Sequence, residues 1–369
     1  MTATEGDLLH TVETGDLPEW RRRAGRWIVR GATGLLAAVV AVQMMQRQGV
    51  LDWGITTWRP TLYAYLIWAV AIGAGQVLSR GEQGKRALFL LPAVFFTVAM
   101  VIFPMIFGVS IALSDWNLAS LDGRKFNGLA NFWQMMDDSY YWNAMKNMGY
   151  YVAAVAVEYA IAFGLALLLN AQIRAQKFFR VVFLLPLMLS PVAVSWMIGK
   201  SMMEVRFGPL ANFARWLGWE TPSFFGNPMI ARTSIMLMDA WTFIPFMMIL
   251  MLAGLQALPK EVMEAAKVDG AGAWQTFWKI TFPLLMPVSI TAIILRIIFK
   301  LKLADIVINV TSGGPGGATD TITSFIFREY RDRSNVGYGT MLAMFYLVLI
   351  IIFITVLLSL VSRWMKRHT

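Results

Sequence analysis

The sequence predicts an all-α integral membrane protein with about eight transmembrane helices. Its side chains are 57% hydrophobic and only 15% charged, whereas about 25% are charged in an average soluble domain. Eight apolar stretches are long enough to cross roughly 30 Å of hydrocarbon as helices. They lie near residues 29–45, 62–79, 87–113, 148–170, 178–199, 233–256, 284–304 and 338–361. None of them alternates polar and apolar residues with a period of two, which disfavours a membrane β-barrel.

Composition also excludes several classes of function. The formal net charge is +10, but the basic residues are scattered between apolar runs, so we expect no nucleic-acid partner. The chain contains no cysteine, and its two histidines, His10 and His368, lie at its ends. Disulfides, thiolate nucleophiles and zinc–thiolate sites are therefore excluded, and histidine-based catalysis is disfavoured.

Residues 1–28 form the expected N-terminal tail, which lacks the small-residue cleavage site of a signal peptide. Its first half is acidic, with Glu5, Asp7, Glu13 and Asp16. The first span should therefore be retained as an anchor. It contains Gly31, Gly34 and Gln43, so a re-entrant or interfacial helix is the alternative there. Residues 29–86 should form two accessory helices that serve docking or membrane insertion.

The distribution of basic residues predicts the orientation, because short cytoplasmic loops retain Lys and Arg. With eight spans, the basic segments at 21–30, 80–86, 174–180 and 363–367 all lie on one side. Both termini should therefore be cytoplasmic. The opposite loops, near 46–61, 114–147, 200–232 and 305–337, are expected to be external. Aromatic residues there are typical of interfacial anchors: Trp116, Phe132, Trp133, Tyr140, Tyr141 and Trp142.

The loop at residues 257–283, between the sixth and seventh spans, has the features of a docking element. Pro259 suits the first turn of a helix, Glu261 and Glu264 complement its positive end, and Gly270 can end it in a left-handed conformation. A second short helix should stop before Pro283. Val262, Ala265 and Ala266 are expected on one face, where two small side chains permit close approach of another protein.

This loop resembles the signature loop of permease subunits of binding-protein-dependent ABC importers. The signature consists of Glu-Ala-Ala, three residues, Gly, nine residues and Ile-x-x-Pro. Its positions here are Glu264, Ala265, Ala266, Gly270, Ile280 and Pro283. The segments 252–259 and 311–319 look like those of the carbohydrate-uptake, maltose-type branch. The resemblance covers roughly residues 87–367, and the two accessory helices match the longer maltose-type subunit.

The resemblance implies a type I ABC importer fold, with a six-helix core at 87–369 and a cytoplasmic coupling loop at 257–283. It implies inward transport of a sugar, polyol or glycerol-phosphate-like solute by alternating access. Glu264 would pair with a basic residue of an ATPase, Gly270 would permit the turn, and Asp269 would cap or orient it. The implied location is the cell inner membrane.

The implied partners are a second homologous permease, two cytoplasmic ATPase subunits, and a periplasmic or lipid-anchored solute-binding protein. The sequence has no phosphate loop of the Gly-x-x-x-x-Gly-Lys-Ser/Thr type. ATP and magnesium should therefore be bound by the ATPase partners, with no cofactor, metal or covalent chemistry in this chain. The glycines of segment 313–317 are expected in an external turn.

Ionisable residues inside spans are costly and are therefore functional candidates. Glu158, Asp239 and Arg296 either line a polar cavity or pack as a structural pair, for instance Asp239 with Arg296. Lys300 and Lys302 are expected to reach the external interface. The same carboxylates leave open two rival functions: a secondary transporter driven by an ion gradient, or a membrane transferase that uses Glu158 and Asp239 as an acid–base pair.

A sugar path combines aromatic rings with side chains that bind several hydroxyl groups. Besides the charged residues, four others are candidates for such a path: Tyr159, Trp241, Phe243 and Asn309. Aromatic residues in spans also serve in packing. Pro186, Pro191 and Pro245 are expected to bend the fifth and sixth spans, around a path or simply for packing.

Overall fold

The computed structural model describes residues 17–51, 53–55, 57–171 and 174–368, apart from the side chains of Glu82 and residues 366–368. The acidic residues of the predicted tail, Glu5 to Asp16, and His10 lie outside the described residues. The elements below are therefore those of the described ranges.

The described chain is almost wholly helical. Its helices are α1 Glu19–Arg47, α2 Arg59–Arg80, α3 Glu82–Leu88, α4 Leu91–Ala112, α5 Ala130–Asp137, α6 Ser139–Asn170, α7 Gln176–Met188, α8 Pro191–Met202, α9 Pro209–Trp216, α10 Pro228–Gln256, α11 Lys260–Val268, α12 Ala273–Leu301, α13 Asp305–Val310, α14 Ile322–Arg331 and α15 Val336–His368. A two-residue ribbon follows α4, in which β1 Ser114–Asp115 pairs antiparallel with β2 Lys125–Phe126.

Within the described ranges, seven helices are long and apolar enough to span a membrane: α1, α2, α4, α6, α10, α12 and α15. The predicted fifth span at 178–199 instead divides into α7 and α8, which are bent by 97°. Ser190 caps α8 by accepting a 3.2 Å hydrogen bond from the backbone N–H of Ala193, and Pro191 opens the helix. The bend expected in the fifth span, which contains Pro186 and Pro191, is confirmed. If α7 and α8 are counted as one span, the described ranges contain eight spans.

The fourth span begins earlier than predicted. Tyr140, Tyr141 and Trp142 were expected in an external loop, but they lie in the first turns of α6. Asp138 caps this helix, since its carboxylate accepts a 2.8 Å bond from the backbone N–H of Tyr140. The cap lets the helix start in a segment too polar for a hydropathy window to include.

The described residues between 17 and 134, together with 334–344, make up one compact unit. Within it, α1 and α2 pack along each other, and α1 is one continuous helix of 29 residues, long enough to span a membrane. Gln43 is fully buried, and its amide donates a 3.0 Å bond to the carbonyl of Thr57 and accepts one from the Thr61 hydroxyl. These bonds satisfy the side-chain amide of Gln43, one of the residues that left a re-entrant or interfacial helix open as an alternative for the first span.

The described residues of 135–333 and 345–368 make up the second unit. Its apolar core joins residues of α6, α8, α10 and α13, including Tyr151, Val194, Ile235 and Val307. Pro245 lies inside α10, which continues unbroken through it. The second unit contains the predicted coupling loop and all of the intramembrane charges discussed below.

Candidate functional site

The helix of the predicted coupling loop, α11, ends in a left-handed turn at Gly270. The φ angle of Gly270 is 74°, its N–H donates to the carbonyl of Lys267, and the N–H of Ala271 donates to the carbonyl of Ala266. These two bonds form a Schellman motif, with Asp269 at the C-cap. A Cβ added at Gly270 would meet nothing within 4 Å, so backbone conformation alone favours glycine there.

Most of the α11 surface is exposed. Glu264, Ala265 and Asp269 are exposed, and Val268 is 87% exposed although it is apolar. Ala266 is 4% exposed and therefore packs within this chain. The expectation that Ala265 and Ala266 both offer close approach to a partner is wrong for Ala266, because adjacent helical residues point about 100° apart.

The second half of the loop differs from its prediction. The segment from Ala273 does not stop before Pro283 but continues into the membrane as α12. Residues Phe277–Thr281 form a π-helical turn, which widens the helix immediately before Pro283 and accommodates the missing N–H. Ile280 is half-buried and Pro283 is exposed. The signature positions 280 and 283 therefore lie at the start of a span.

Four charged side chains meet in the interior of the second unit: Glu158 of α6, Asp239 of α10, and Arg296 and Lys300 of α12. All four are at most 3% exposed. Arg296 Nε donates to Glu158 Oε2 at 2.6 Å, and Lys300 Nζ donates to Glu158 Oε1 at 2.7 Å. Each cation also donates to Asp239 Oδ2. Two carboxylates and two cations thus form a neutral cluster, called here the charge cluster.

Lys300 corrects the sequence interpretation, which placed it at the external interface together with Lys302. Lys302 is exposed, but Lys300 is fully buried and bonded to both carboxylates. Arg296 and Lys300 are four residues apart on one helix and therefore share a face. This spacing is the signal that could have assigned Lys300 to the same group as Arg296.

The remaining path candidates are placed differently. Phe243 lies one turn from Asp239, with its ring centre 4.5 Å from the Arg296 guanidinium carbon. Tyr159 donates a 2.8 Å bond to the Ser289 hydroxyl and stacks on Phe163. Trp241 is 40% exposed, since it points about 200° away from Asp239 on the same helix. Phe243 thus joins the charge cluster, and Tyr159 and Trp241 lie apart from it.

The side-chain amide of Asn309 is hydrogen-bonded within its own helix, where it donates to the carbonyl of Asp305 at 2.7 Å. The adjoining glycine-rich turn, residues 311–321, is held from two other helices. Asn147 Nδ2 donates to the carbonyls of Gly317 and Asp320, both at 3.0 Å. Further bonds reach its backbone from Asn143, Tyr151 and Arg232.

Asp320 is the most perturbed carboxyl group of this turn. It is 1% exposed, accepts a 3.0 Å bond from the Ser324 hydroxyl and pairs with Arg328. Burial raises its pKa from 3.8 to about 6, and the charge of Arg328 only partly opposes that effect. No group of three or more potential metal ligands was found in the described part of the chain.

Comparison with known proteins decides the family. Residues 159–369 match the model of the binding-protein-dependent transport system inner membrane component. The chain belongs to this family. It is the permease subunit of a binding-protein-dependent ABC transporter, a multi-pass inner-membrane protein and a transport component rather than an enzyme. In this family the permease chain carries no cofactor. The membrane-transferase and secondary-transporter interpretations are therefore wrong.

Two curated relatives are similar over most of this permease. The trehalose/maltose transport system permease protein MalF of Thermococcus litoralis is 31% identical over 273 residues, which cover 74% of this chain and 92% of the relative. The sulfoquinovosyl glycerol transport system permease protein SmoG of Agrobacterium fabrum is 32% identical over 268 residues, covering 72% and 86%.

A solved structure confirms the fold of the permease. A chain of a bacterial alginate ABC transporter, crystallised with a periplasmic protein that holds an alginate pentasaccharide, superposes with a TM-score of 0.66. It is 21% identical, and the match covers 77% of this permease and 98% of that chain. The expected ABC importer permease fold is therefore present.

Proposed function

We propose that this permease imports a sugar, polyol or glycerol-phosphate-like solute by alternating access, with α11 transmitting ATP-driven closure from an ATPase. The exposed, capped α11 at the matched signature positions carries this proposal. Val268 of α11 is outside the spans and 87% exposed, so its apolar side chain is available to a partner. The substrate class rests on the sugar- and glycoside-transporting relatives.

The proposed assembly contains this chain, a second homologous permease, two ATPase subunits and a periplasmic or lipid-anchored binding protein. ATP and magnesium would be bound by the ATPase subunits. Glu264 would pair with a basic ATPase residue, and Gly270 would set the direction in which the chain leaves α11. Asp269, at the C-cap, would orient the same turn.

Charge reversal at Glu264 tests the coupling role. We compare Glu264→Arg with Glu220→Arg, an identical change at an exposed glutamate in the loop between α9 and α10. The tagged transporter is purified in mild detergent, and the recovered ATPase subunit and solute-stimulated ATP hydrolysis are measured. We expect Glu264→Arg to lose both and Glu220→Arg to keep both. Equal behaviour of the two variants would contradict a coupling role for α11.

The same proposal places both termini and the coupling loop in the cytoplasm. Because the chain has no cysteine, a single introduced thiol is labelled without background. Glu261→Cys in α11 should resist a membrane-impermeant maleimide applied from the external side, and Glu220→Cys should react with it. Reaction of Glu261→Cys under conditions that leave the membrane sealed would reverse the orientation.

For the intramembrane residues we propose two separate roles. Glu158, Asp239 and Arg296, together with Lys300, serve as a structural lock between α6, α10 and α12, because their charges are buried and mutually paired. The ring of Phe243 packs against Arg296 of this cluster. Trp241 is the better candidate for the solute path, since it is exposed on the opposite face of α10. Tyr159 and Asn309 are weaker candidates because their polar groups already bond within the chain.

Trp241→Ala tests this division of roles. It should weaken solute uptake severalfold without lowering the unfolding temperature, because the side chain stacks on a solute but contributes little to the core. Trp216→Ala, at a 79% exposed tryptophan of α9, is the matched control and should leave uptake unchanged. Normal uptake by Trp241→Ala would remove this residue from the path.

A further inference from the structure

A basic cavity lies between the start of α1 and the end of α2, in the accessory helices that the transport function does not explain. Its volume is about 530 Å³, within the range of roughly 300–1,000 Å³ usual for ligand sites. Among the described residues, its lining includes five arginines and the acid Glu19, whose carboxylate lies 2.7 Å from the guanidinium group of Arg23. The arginines are Arg22, Arg23, Arg26, Arg30 and Arg80.

The spacing of these residues explains why their charges gather. Arg22, Arg26 and Arg30 succeed one another every four residues and so form a row on one face of α1. The antiparallel α2 brings Arg80, its last residue, to the same place. Such a concentration of guanidinium groups is matched by phosphate, which accepts two parallel hydrogen bonds from one guanidinium group.

The two helices approach unusually closely beside the cavity. A Cβ added at Gly25 would lie 2.6 Å from the carbonyl oxygen of Gly75, and one added at Gly75 would lie 2.9 Å from that of Gly25. This backbone contact fixes the arginine row of α1 against the end of α2. Gln76 and Ser79 of α2 complete a polar lining. The backbones that carry these arginines are therefore held close together, and the exposed arginine side chains extend from them around one space.

We expect the cavity to lie at the membrane interface. Helix α1 has 29 residues and is roughly 43 Å long, about 13 Å more than the hydrocarbon thickness of a bilayer. The excess is the arginine-rich first part, where Trp20 and Trp27 are 67% and 71% exposed, as is usual for tryptophans at headgroup depth. Ile28 and Leu35, further along α1, are exposed apolar side chains available to an acyl chain.

We propose that this cavity binds the phosphate group of an anionic phospholipid, whose acyl chains lie along the exposed apolar surface of the accessory helices. Basic pockets between transmembrane helices are known to take such headgroups. Soluble phosphates share the headgroup chemistry but cannot use the apolar surface below the cavity. The accessory helices would thus tie the permease to anionic lipid, independently of solute transport.

Lipid titration of the purified full-length chain, followed by native mass spectrometry, tests this proposal. Phosphatidylglycerol is added to the wild type, to Arg26→Gln/Arg30→Gln, and to Arg21→Gln/Arg59→Gln, which removes two charges from the same helices outside the cavity lining. The apparent Kd should rise about tenfold or more in the first double variant, given the strength of each basic contact. It should change less than twofold in the second.

Three further arms make the result decisive. Arg26→Lys/Arg30→Lys keeps both charges and should bind with an intermediate Kd, which excludes misfolding as the cause of the loss. Phosphatidylcholine should bind much more weakly than phosphatidylglycerol. Glycerol phosphate and inorganic phosphate should displace the lipid only at far higher concentrations. Equal weakening in both glutamine variants, or displacement by soluble phosphate at the lipid's own concentration, would overturn the proposal.

Discussion

The glycine-rich turn at 311–321 and the coupling-loop helix α11 lie outside the long spans and both depend on glycines, but they are built in opposite ways. The turn is bonded by side chains of α6 and α10, and Thr319, Asp320 and Thr321 are at most 1% exposed. Helix α11 is held by local backbone bonds, and only Ala266 of its residues is buried.

Together with the coupling role proposed for α11, this difference predicts that stability and communication depend on different regions of the permease. A segment that is hydrogen-bonded to several helices moves together with them. A segment held only by local backbone hydrogen bonds can keep its conformation when it moves with a partner protein. The charge cluster belongs to the first kind, since it ties three helices through buried ion pairs. Substitutions in the tied regions should therefore lower stability, and substitutions in α11 should lower coupling.

The largest expected effect is at Arg296. Arg296→Met leaves two buried carboxylates with one cation, and breaking a buried pair in this way costs about 3–5 kcal/mol. The unfolding free energy of the detergent-solubilised chain measures the loss. The charge-balanced double variant Arg296→Met/Glu158→Gln should be more stable than Arg296→Met alone, because Lys300 and Asp239 stay paired. Purely additive losses would show that the four charges do not act together.

The pH dependence of stability should reveal the raised pKa of Asp320. Its folded-state pKa of about 6 lies above its ordinary value of 3.8, so the folded form binds the proton more tightly. Its contribution to stability is complete below about pH 4 and is lost as pH rises through 6, an effect of about 3 kcal/mol. Unfolding of wild type and Asp320→Asn is compared from pH 4 to 8. Parallel curves would contradict the raised pKa.

Asn147 should contribute less than the charges but more than its neighbour Asn143. Asn147→Leu removes the side-chain donor to the Asp320 carbonyl, at a cost of about 1–3 kcal/mol for a buried unsatisfied group. Asn143→Leu is the matched control, because the Gly317 carbonyl keeps its bond from Asn147. Thermal unfolding of both variants gives the comparison. A larger loss at Asn143 would show that the turn is held elsewhere.

Gly270 should contribute less to stability than Asn147. Gly270→Ala forces an L side chain into a backbone conformation with φ of 74°, at a cost of about 1 kcal/mol. Solute-stimulated ATP hydrolysis should fall much further than this small change suggests, because the turn directs the chain out of α11. Gly272→Ala, at φ of −66° with open space around it, should change neither property.

Hydropathy was sufficient to predict the number and approximate positions of the spans, because twenty apolar residues have few alternatives to a membrane helix. It failed at ends set by hydrogen bonds, such as the start of α6 at its Asp138 cap. The prediction that a helix ends before Pro283 was wrong for a related reason, because residue types do not indicate the π-helical turn that precedes this proline. Ends of helices depend on local backbone geometry more than on polarity.

The candidate site was predictable where spacing alone defines it. The turn at Gly270 follows from the signature positions, and its left-handed conformation is confirmed. Lys300 was assigned wrongly because its distance from the predicted end of the span suggested a side chain that reaches water. Its four-residue spacing from Arg296 carried the correct information, but pairing with Glu158 and Asp239 requires the packing of three helices.

One crossed measurement tests the separation of stability from coupling most directly. Val268→Asp in α11 and Asn147→Leu at the glycine-rich turn are each reconstituted with the second permease, the ATPase and the binding protein. Unfolding and solute-stimulated ATP hydrolysis are then both measured. We predict that Val268→Asp abolishes the stimulation with less than about 0.5 kcal/mol change in stability, as for surface substitutions. Asn147→Leu should lose stability and keep the stimulation at temperatures below its unfolding. Full stimulation in Val268→Asp would contradict the account.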